Sequence, residues 1–412
     1  MDKDVPVWLS RGRALKQYPW MDGDVSADVC VIGGGVTGTL CALRLIREGK
    51  SVVLLTRSPI GHGATSLLMP CSLCDCGQNL RALSRRVGRE NAVHLLQLTR
   101  QAADELEQLC SELPTGAGFS LRDCVVYADS DTDADQLRRE YGEYRRAGFD
   151  CTSMDRGAFG SAFAFPAAGA LVMHGGAVEL DPCMLAQLAA AQASDMGAII
   201  FENTKAERIS AESGGRVSVF TSTHRRVSAG RVVIAAGSSC AELLGGISAG
   251  RTRYIAASRP VRAFHGWPGR CVLRSTGQPN VLCSTSPDDR VFISCEASAA
   301  ADSRDRLRGA LHIPAAHSRR FGELEAAAKY LFPETGVMRR ESGWTLRTLR
   351  TADGLPVAGT VQGQPGCLFA FSGGEGGVLL SVLISRLVSD ELCGRQPTEL
   401  GMFSPHRRRL AG

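Results

Sequence analysis

The sequence predicts an α/β fold. Three observations carry that prediction: a strand–glycine turn–helix–strand unit over residues 28–55, a return of alternating helix and strand over 170–240, and a last strand that runs through glycines into a helix over 367–393. The 412 residues suffice for two to four domains at roughly 100–200 residues per domain. With 44% apolar and 22% charged residues the chain has globular composition, which excludes a disordered one.

The elements follow in order. Residues 1–24 are polar and turn-rich, with Pro19-Trp20 and Asp22-Gly23, and read as an N-terminal segment. Asp28-Val29-Cys30-Val31-Ile32 is the short apolar run of a buried strand. Leu40, Ala42, Leu43 and Leu45 then fall at helical spacing, and Ser51-Val52-Val53-Leu54-Leu55 is a second buried strand, completing one βαβ unit. Over 79–113, Leu80, Leu83, Val87, Leu95, Leu98, Leu106 and Leu109 recur at three- and four-residue steps, predicting helix with an interruption at Gly88. Residues 185–196 read as helix, and 198–201 and 217–220 as strands. A further strand over 231–237 ends in a glycine turn. The pattern over 241–340 is mixed, strand-like at 291–293 and helical at 321–331. Strand 367–371 leads into a helix over 378–393.

Charge and cysteine content narrow the function classes. Lys and Arg total 47 against 42 Asp and Glu, a net +5 that makes no nucleic-acid footprint. The one dense basic run, Arg407-Arg408-Arg409, reads as a solvated tail over 396–412. Fifteen cysteines cannot all pair, so the chain reads as intracellular with buried thiols. The opening Met1-Asp2-Lys3-Asp4 carries no apolar stretch, and no run reaches the roughly 20 apolar residues of a membrane span. A cytoplasmic protein without signal peptide or transmembrane segment is expected.

Gly33-Gly34-Gly35-Val36-Thr37-Gly38 satisfies G-x-G-x-x-G between a strand and a helix, the context that makes the pattern specific for a dinucleotide. Gly33 makes the tight turn, Gly35 admits the pyrophosphate and Gly38 lets helix and strand pack closely. Amides at the helix start, Val36 and Thr37 among them, then face the phosphates. The second strand should end in Asp or Glu to hold the ribose hydroxyls, and Thr56 stands there instead, followed by Arg57. Thr56 substitutes a neutral bond of about 1 kcal/mol for a charged one of roughly 1.5–3. Arg57 leaves a 2′-phosphate open as an alternative partner.

With these motifs in place, the chain resembles the FAD-dependent D-amino-acid oxidase (DAO) superfamily, in particular its glycine oxidase and gamma-glutamylputrescine oxidase-like bacterial members. The resemblance runs from about Tyr18 to Leu392. It rests on the glycine turn, on Gly61-His62-Gly63-Ala64-Thr65-Ser66, on Gly176-Ala177 and Leu180-Asp181-Pro182, and on Thr204-Lys205-Ala206 and Ala235-Ala236-Gly237. At the C-terminal end it rests on Trp344, on Thr351-Ala352-Asp353-Gly354-Leu355-Pro356-Val357-Ala358-Gly359 and on Gly373-Gly374-Glu375-Gly376-Gly377. The resemblance implies a Rossmann-like, glutathione-reductase-like FAD domain interleaved with an α+β substrate domain containing a largely antiparallel sheet. The FAD domain would gather 25–78, 165–240 and 345–395, and the substrate domain 79–164 and 241–344.

It further implies that FAD contacts the glycine turn, Thr56, Arg57, His62, Gly63, Ala64, Thr65, Ala206, Ala236, Gly237 and the loop from Gly373 to Gly377. Glu375 replaces the family's Asn. The aromatic and Arg strand of the branch is replaced by Val281-Leu282-Cys283-Ser284-Thr285, and its Gly-Gly pair by Ser294-Cys295. The family's carboxylate-binding Arg falls at Thr348, leaving Arg347 and Arg350 as substrate-contact candidates. His62 reads as a structural or phosphate-contacting residue, with covalent flavin attachment or acid–base work as the alternative. Cys71, Cys74 and Cys76 read as packing residues, with redox thiols or a metal as alternatives; no metal is expected.

The function implied is oxidation of the C–N bond of a small amine or amino acid by hydride transfer to flavin N5, with oxygen or another electron acceptor. Two alternatives stand beside it: a flavin-binding or degenerate scaffold with little catalysis, and an FAD-dependent dehydrogenase of a hydroxy acid or polyol. Sequence leaves the oligomeric state open.

Overall fold

The computed structural model describes residues 5–10, 14–240, 247–278, 280–297, 315–333, 339–361, 363–373 and 376–407. Gly374, Glu375, Arg408 and Arg409 lie outside the described residues.

The apolar runs build an eight-stranded sheet. Val25–Ile32 pairs in parallel with Val52–Leu55 on one side and Arg226–Ile234 on the other. Ile199–Phe201 and Cys367–Phe371 extend this parallel core outward. Val357–Thr360 closes one edge antiparallel, and Ala206–Ala211 with Val217–Thr221 forms an antiparallel ribbon on the first half of Arg226–Ile234. Every residue of Val52–Leu55 and Cys367–Phe371 is buried, as strands covered on both faces require.

Three helices cover the sheet. Val36–Arg47 packs against Pro182–Asp195 and Gly377–Leu392. Pro182–Asp195 starts at a strong signal: Pro182 occupies the first turn and the Asp181 carboxylate accepts from the Cys183 and Met184 amides. Gly377–Leu392 is apolar nearly all round because it is enclosed, with Arg89–Glu112 against its outer face. Gly88, at φ 86°, separates Leu80–Val87 from Arg89–Glu112, as its place in the helical pattern anticipates.

A second sheet of nine strands runs in the order Arg340–Thr351, Ile247–Ser258, Val291–Glu296, Val281–Thr285, Val272–Ser275, Ser120–Tyr127, Gly169–Glu179 and Cys71–Leu73. Cys151–Asp155 also pairs with Gly169–Glu179. One contact, Val272–Ser275 with Ser120–Tyr127, is parallel and the others are antiparallel. Cys71–Leu73 and Gly169–Glu179 come from stretches that the sequence reading placed with the first sheet. A buried ion pair, Asp75 with Arg274, ties the turn after Cys71–Leu73 to this second sheet.

The basic C-terminus departs from a solvated tail. Arg407 is only 11% exposed and donates to both Asp353 carboxylate oxygens at 2.7 and 3.0 Å. Its remaining donors reach the carbonyls of Phe403, Ser404 and Leu355. A guanidinium with five donors suits such a nest of acceptors, and a run of arginines in sequence gives no sign of it. Burial pushes the Asp353 carboxyl up, but the hydrogen bonds and charge of Arg407 outweigh it and hold the group below the usual carboxylate range.

Candidate cofactor and substrate site

The glycine turn is fixed by steric necessity. Gly33 has φ 126°, and a Cβ there would lie 2.2 Å from the Ala235 carbonyl oxygen. At Gly38 a Cβ would lie 1.9 Å from the Gly33 carbonyl oxygen, and at Gly35 2.9 Å from Thr65 Oγ1. Strand, helix and the 61–66 loop therefore meet with no room for side chains. Helix Val36–Arg47 begins at Gly35 with no side-chain cap and no acid in its first turn. Val36 N–H donates to Thr65 Oγ1 at 3.2 Å. An uncapped, acid-free helix start beside a side-chain-free turn fits the diphosphate of FAD.

The other expected cofactor residues cluster beyond the same strand ends. Thr56 follows Val52–Leu55 and is buried, its hydroxyl donating to the Ser58 carbonyl at 2.9 Å. Arg57 beside it is exposed. Buried Glu202 does not replace the missing ribose carboxylate, because its oxygens accept from the Ile60 and Tyr18 amides at 2.7 and 3.2 Å. His62, Gly63 and Ala64 are exposed at the turn, and Thr65 is buried. Ala206 opens its strand half-buried. Ala236 and Gly237, the latter at φ 56°, follow Arg226–Ile234. Apart from Ala206, these positions lie past the carboxyl ends of parallel strands, where open α/β sheets bind ligands.

The last helix is brought to the same place by hydroxyls. Thr37 Oγ1 donates to Ser381 Oγ at 3.0 Å, and Ser381 Oγ to Ser372 Oγ at 3.2 Å. Ser72 Oγ donates to the Gly376 carbonyl at 2.6 Å and accepts from the Leu379 amide at 3.2 Å, pinning the helix start to the second sheet. Gly373 and Gly377 both have positive φ, 43° and 48°.

A cavity of about 240 Å³ opens between Gly373, Gly376 and Leu380 on one side and Arg253, Glu296 and Arg350 on the other. Arg350 Nη2 donates to Glu296 Oε1 at 2.8 Å, and Arg253 Nη2 to the same oxygen at 3.3 Å. Arg253 Nη1 also donates to Ser294 Oγ at 3.1 Å. Of the two arginines singled out in the sequence, Arg350 lines this cavity and Arg347 is exposed away from it. Their spacing is odd, and odd spacing on a strand sends side chains to opposite faces. Thr348 Oγ1, on the strand between them, is buried without a hydrogen-bond partner among the described residues. Sequence reasoning missed Arg253 and Glu296, which become neighbours of Arg350 only through strand pairing.

Two tryptophans hold the chain that leaves the 61–66 loop. Trp344 Nε1 donates to the Leu67 carbonyl at 3.1 Å and Trp8 Nε1 to the Leu68 carbonyl at 3.0 Å. Trp8 stacks on Phe292 at 5.2 Å, so the N-terminal segment, read as polar and turn-rich, has a short helix Val7–Ser10 with Val7 and Trp8 buried.

Cys71 and Cys74 have the chemistry of packing thiols. Burial pushes Cys71 to about 11 and Cys74 to about 12, far from a reactive thiolate. Cys76 lines the cavity beside Gly376. Among the described residues no group of three or more His, Cys, Asp or Glu side chains could hold a metal ion, and no helix is long and apolar enough to cross a membrane.

Comparison with known proteins agrees on one family. The profile of DAO, FAD dependent oxidoreductase, matches residues 28–391. Glycine oxidase of Geobacillus kaustophilus is 27% identical over 397 residues, covering 92% of this chain and 96% of that protein. The probable oxidoreductase OrdL of Rhizobium meliloti is 28% identical over 294 residues, 67% of this chain and 62% of that protein. The crystal structure of the Geobacillus kaustophilus glycine oxidase matches with a TM-score of 0.73 at 22% identity, covering 93% of this chain and 99% of that one. L-amino acid deaminase from Proteus vulgaris matches with a TM-score of 0.74 at 14% identity, covering 95% of this chain and all of that one. At such identities the structural likeness establishes the fold alone.

Proposed function

This chain belongs to the DAO family of FAD-dependent oxidoreductases, and from that premise we propose that it oxidises the C–N bond of a small amine or amino acid by hydride transfer to flavin N5. The observation that carries the proposal is the cavity that joins Gly373 and Gly376 to Arg350. The names of the relatives, glycine oxidase and L-amino acid deaminase, support an amino compound as substrate.

Bound FAD supplies the electron-pair acceptor. Gly33, Gly35, Gly38 and the amide of Thr37 would receive its diphosphate, with Gly63, Ala64 and Thr65 alongside and His62 as a phosphate contact, while the Val36 amide is held by Thr65 Oγ1. Thr56 and Arg57 sit at the ribose, and Ala206, Ala236 and Gly237 complete the adenosine side. Gly373, Gly376 and Gly377 would take the flavin ring.

On the substrate side, Arg350 orients a carboxylate with its planar guanidinium, and Glu296 fixes Arg350 in turn. The two walls limit bulk water around the reacting carbon, which must sit roughly 3–3.5 Å from its acceptor atom. The imine formed hydrolyses in solvent, and oxygen or another acceptor completes the cycle. Two discontinuous domains centred on the two sheets give this arrangement, with Cys71–Leu73 and Gly169–Glu179 going to the second sheet rather than to the first as the sequence reading has them.

The test is anaerobic reduction of the FAD-loaded protein by a panel of amines, amino acids and hydroxy acids. Bleaching by an amino compound is expected. Bleaching only by hydroxy acids or polyols shifts the assignment to C–OH oxidation. Full flavin occupancy with no bleaching by any compound turns the protein into a scaffold.

A further inference from the structure

We propose that the substrate is a dianion, an amino acid with a second acidic group, and that Arg86 is the residue selecting it. The inference rests on the proposed amino-compound chemistry and adds what the far end of the substrate carries.

The described lining of the cavity holds three guanidinium groups, Arg86, Arg253 and Arg350, and one carboxylate, Glu296. Glu296 sits between Arg253 and Arg350, accepting from both with the same oxygen. Arg86 is set apart. It lies in the last turn of helix Leu80–Val87, is exposed at the cavity, and donates through Nη1 to Gln78 Oε1 at 2.9 Å.

Gly354 lies beside it. That residue has φ 77°, and a Cβ there would stand 3.4 Å from Arg86 Nη1 and from Gln78 Nε2. The turn that follows the Arg350 strand brings Gly354 beside the guanidinium, and Arg86 and Arg350, carried on a helix and a strand, line one cavity.

Two separated guanidinium groups match two separated carboxylates, each in the bidentate geometry that Arg favours. A monocarboxylate held at Arg350 leaves Arg86 unused, and a simple amine meets cations at both ends. A cavity wall rich in one sign also draws oppositely charged ligands at long range, with a strong dependence on salt.

The test uses the FAD-loaded full chain and ligands differing only in the distal charge. Anaerobic flavin reduction is measured with aspartate and glutamate, each enantiomer, against asparagine and glutamine. In parallel, perturbation of the flavin spectrum is titrated with succinate against its monoamide, a reading that needs no turnover. The expected result is a preference for the dianion of roughly tenfold or more, the discrimination of one charge-assisted contact. R86Q is expected to bring the dianion-to-amide ratio close to one, and Arg86, being exposed, is not needed for folding. Equal affinity for succinate and its monoamide, or an unchanged ratio in R86Q, overturns the proposal. Preferential succinate binding without reduction by any amino acid leaves the charge preference standing and refutes the amino-acid oxidation.

Discussion

At the proposed phosphate end, Gly33, Gly35 and Gly38 lie within six residues of one another, and each is fixed by an atom that a Cβ would strike. At the substrate end, Arg86, Arg253, Glu296 and Arg350 come from four separate elements and meet only because the second sheet and a helix turn bring them together. The first end is a backbone device that tolerates no side chain. The second is an arrangement of side chains that can be exchanged while the backbone stays. Changes at the phosphate end should therefore cost cofactor and fold together, whereas changes at the substrate end should cost rate or selectivity with the cofactor retained.

The largest effect that could break this contrast is Gly38→Val. A Cβ 1.9 Å from the Gly33 carbonyl forces helix Val36–Arg47 away from its strand. Loss of bound flavin and destabilisation beyond about 4 kcal/mol are expected, read by flavin content and chemical denaturation. A stable, fully flavinated variant would remove the distinction.

Arg407→Ala comes next, striking the support of the substrate end. Removing one partner of a buried ion pair leaves Asp353 uncompensated, and a loss of about 3 kcal/mol is expected. The pH dependence has a definite sign. The folded Asp353 pKa is depressed, so its stabilising contribution is present above the unfolded value of about 3.9 and is lost as pH falls through the folded value. The gap between wild type and variant should stay constant above about pH 5 and shrink below about pH 4, which unfolding curves across that range measure.

Trp344→Phe gives the smallest effect and sharpens the boundary between the two ends. It removes the bond to the Leu67 carbonyl while keeping an aromatic ring against Phe292. A single neutral hydrogen bond is worth about 1 kcal/mol, so flavin affinity should fall about fivefold, measured by fluorescence titration of the apoprotein. An unchanged affinity would detach the tryptophan from the cofactor loop.

The same contrast governs what could be read without a structure. Local geometry is written in adjacent residues: the strand before Gly33, the break at Gly88 and the strand Cys367–Phe371 occur where their patterns place them, and the helix read over 185–196 begins three residues earlier, at Pro182. The substrate wall is set by register between distant strands. Ile247–Ser258 pairs with Arg340–Thr351 through irregularities between Ala249 and Thr252 and between Ala257 and Ser258. No local pattern encodes that pairing, so Arg253 and Glu296 stayed hidden, and strand parity separates Arg347 from Arg350 without saying which of the two faces the cavity. Trp8 and Arg407 escaped for a related reason, since short terminal stretches have too few residues to show a period.

The most direct test compares wild type with Arg350→Ala, measuring flavin content and the anaerobic rate of flavin reduction by the best amino substrate in the same samples. Arg350 lines the cavity on the second sheet. Equal flavin content is predicted, with reduction slowed about 30-fold, corresponding to about 2 kcal/mol for a truncated charge contact. Reduction at the wild-type rate, or flavin lost along with Arg350, would contradict the separation of the two ends and the place given to the substrate.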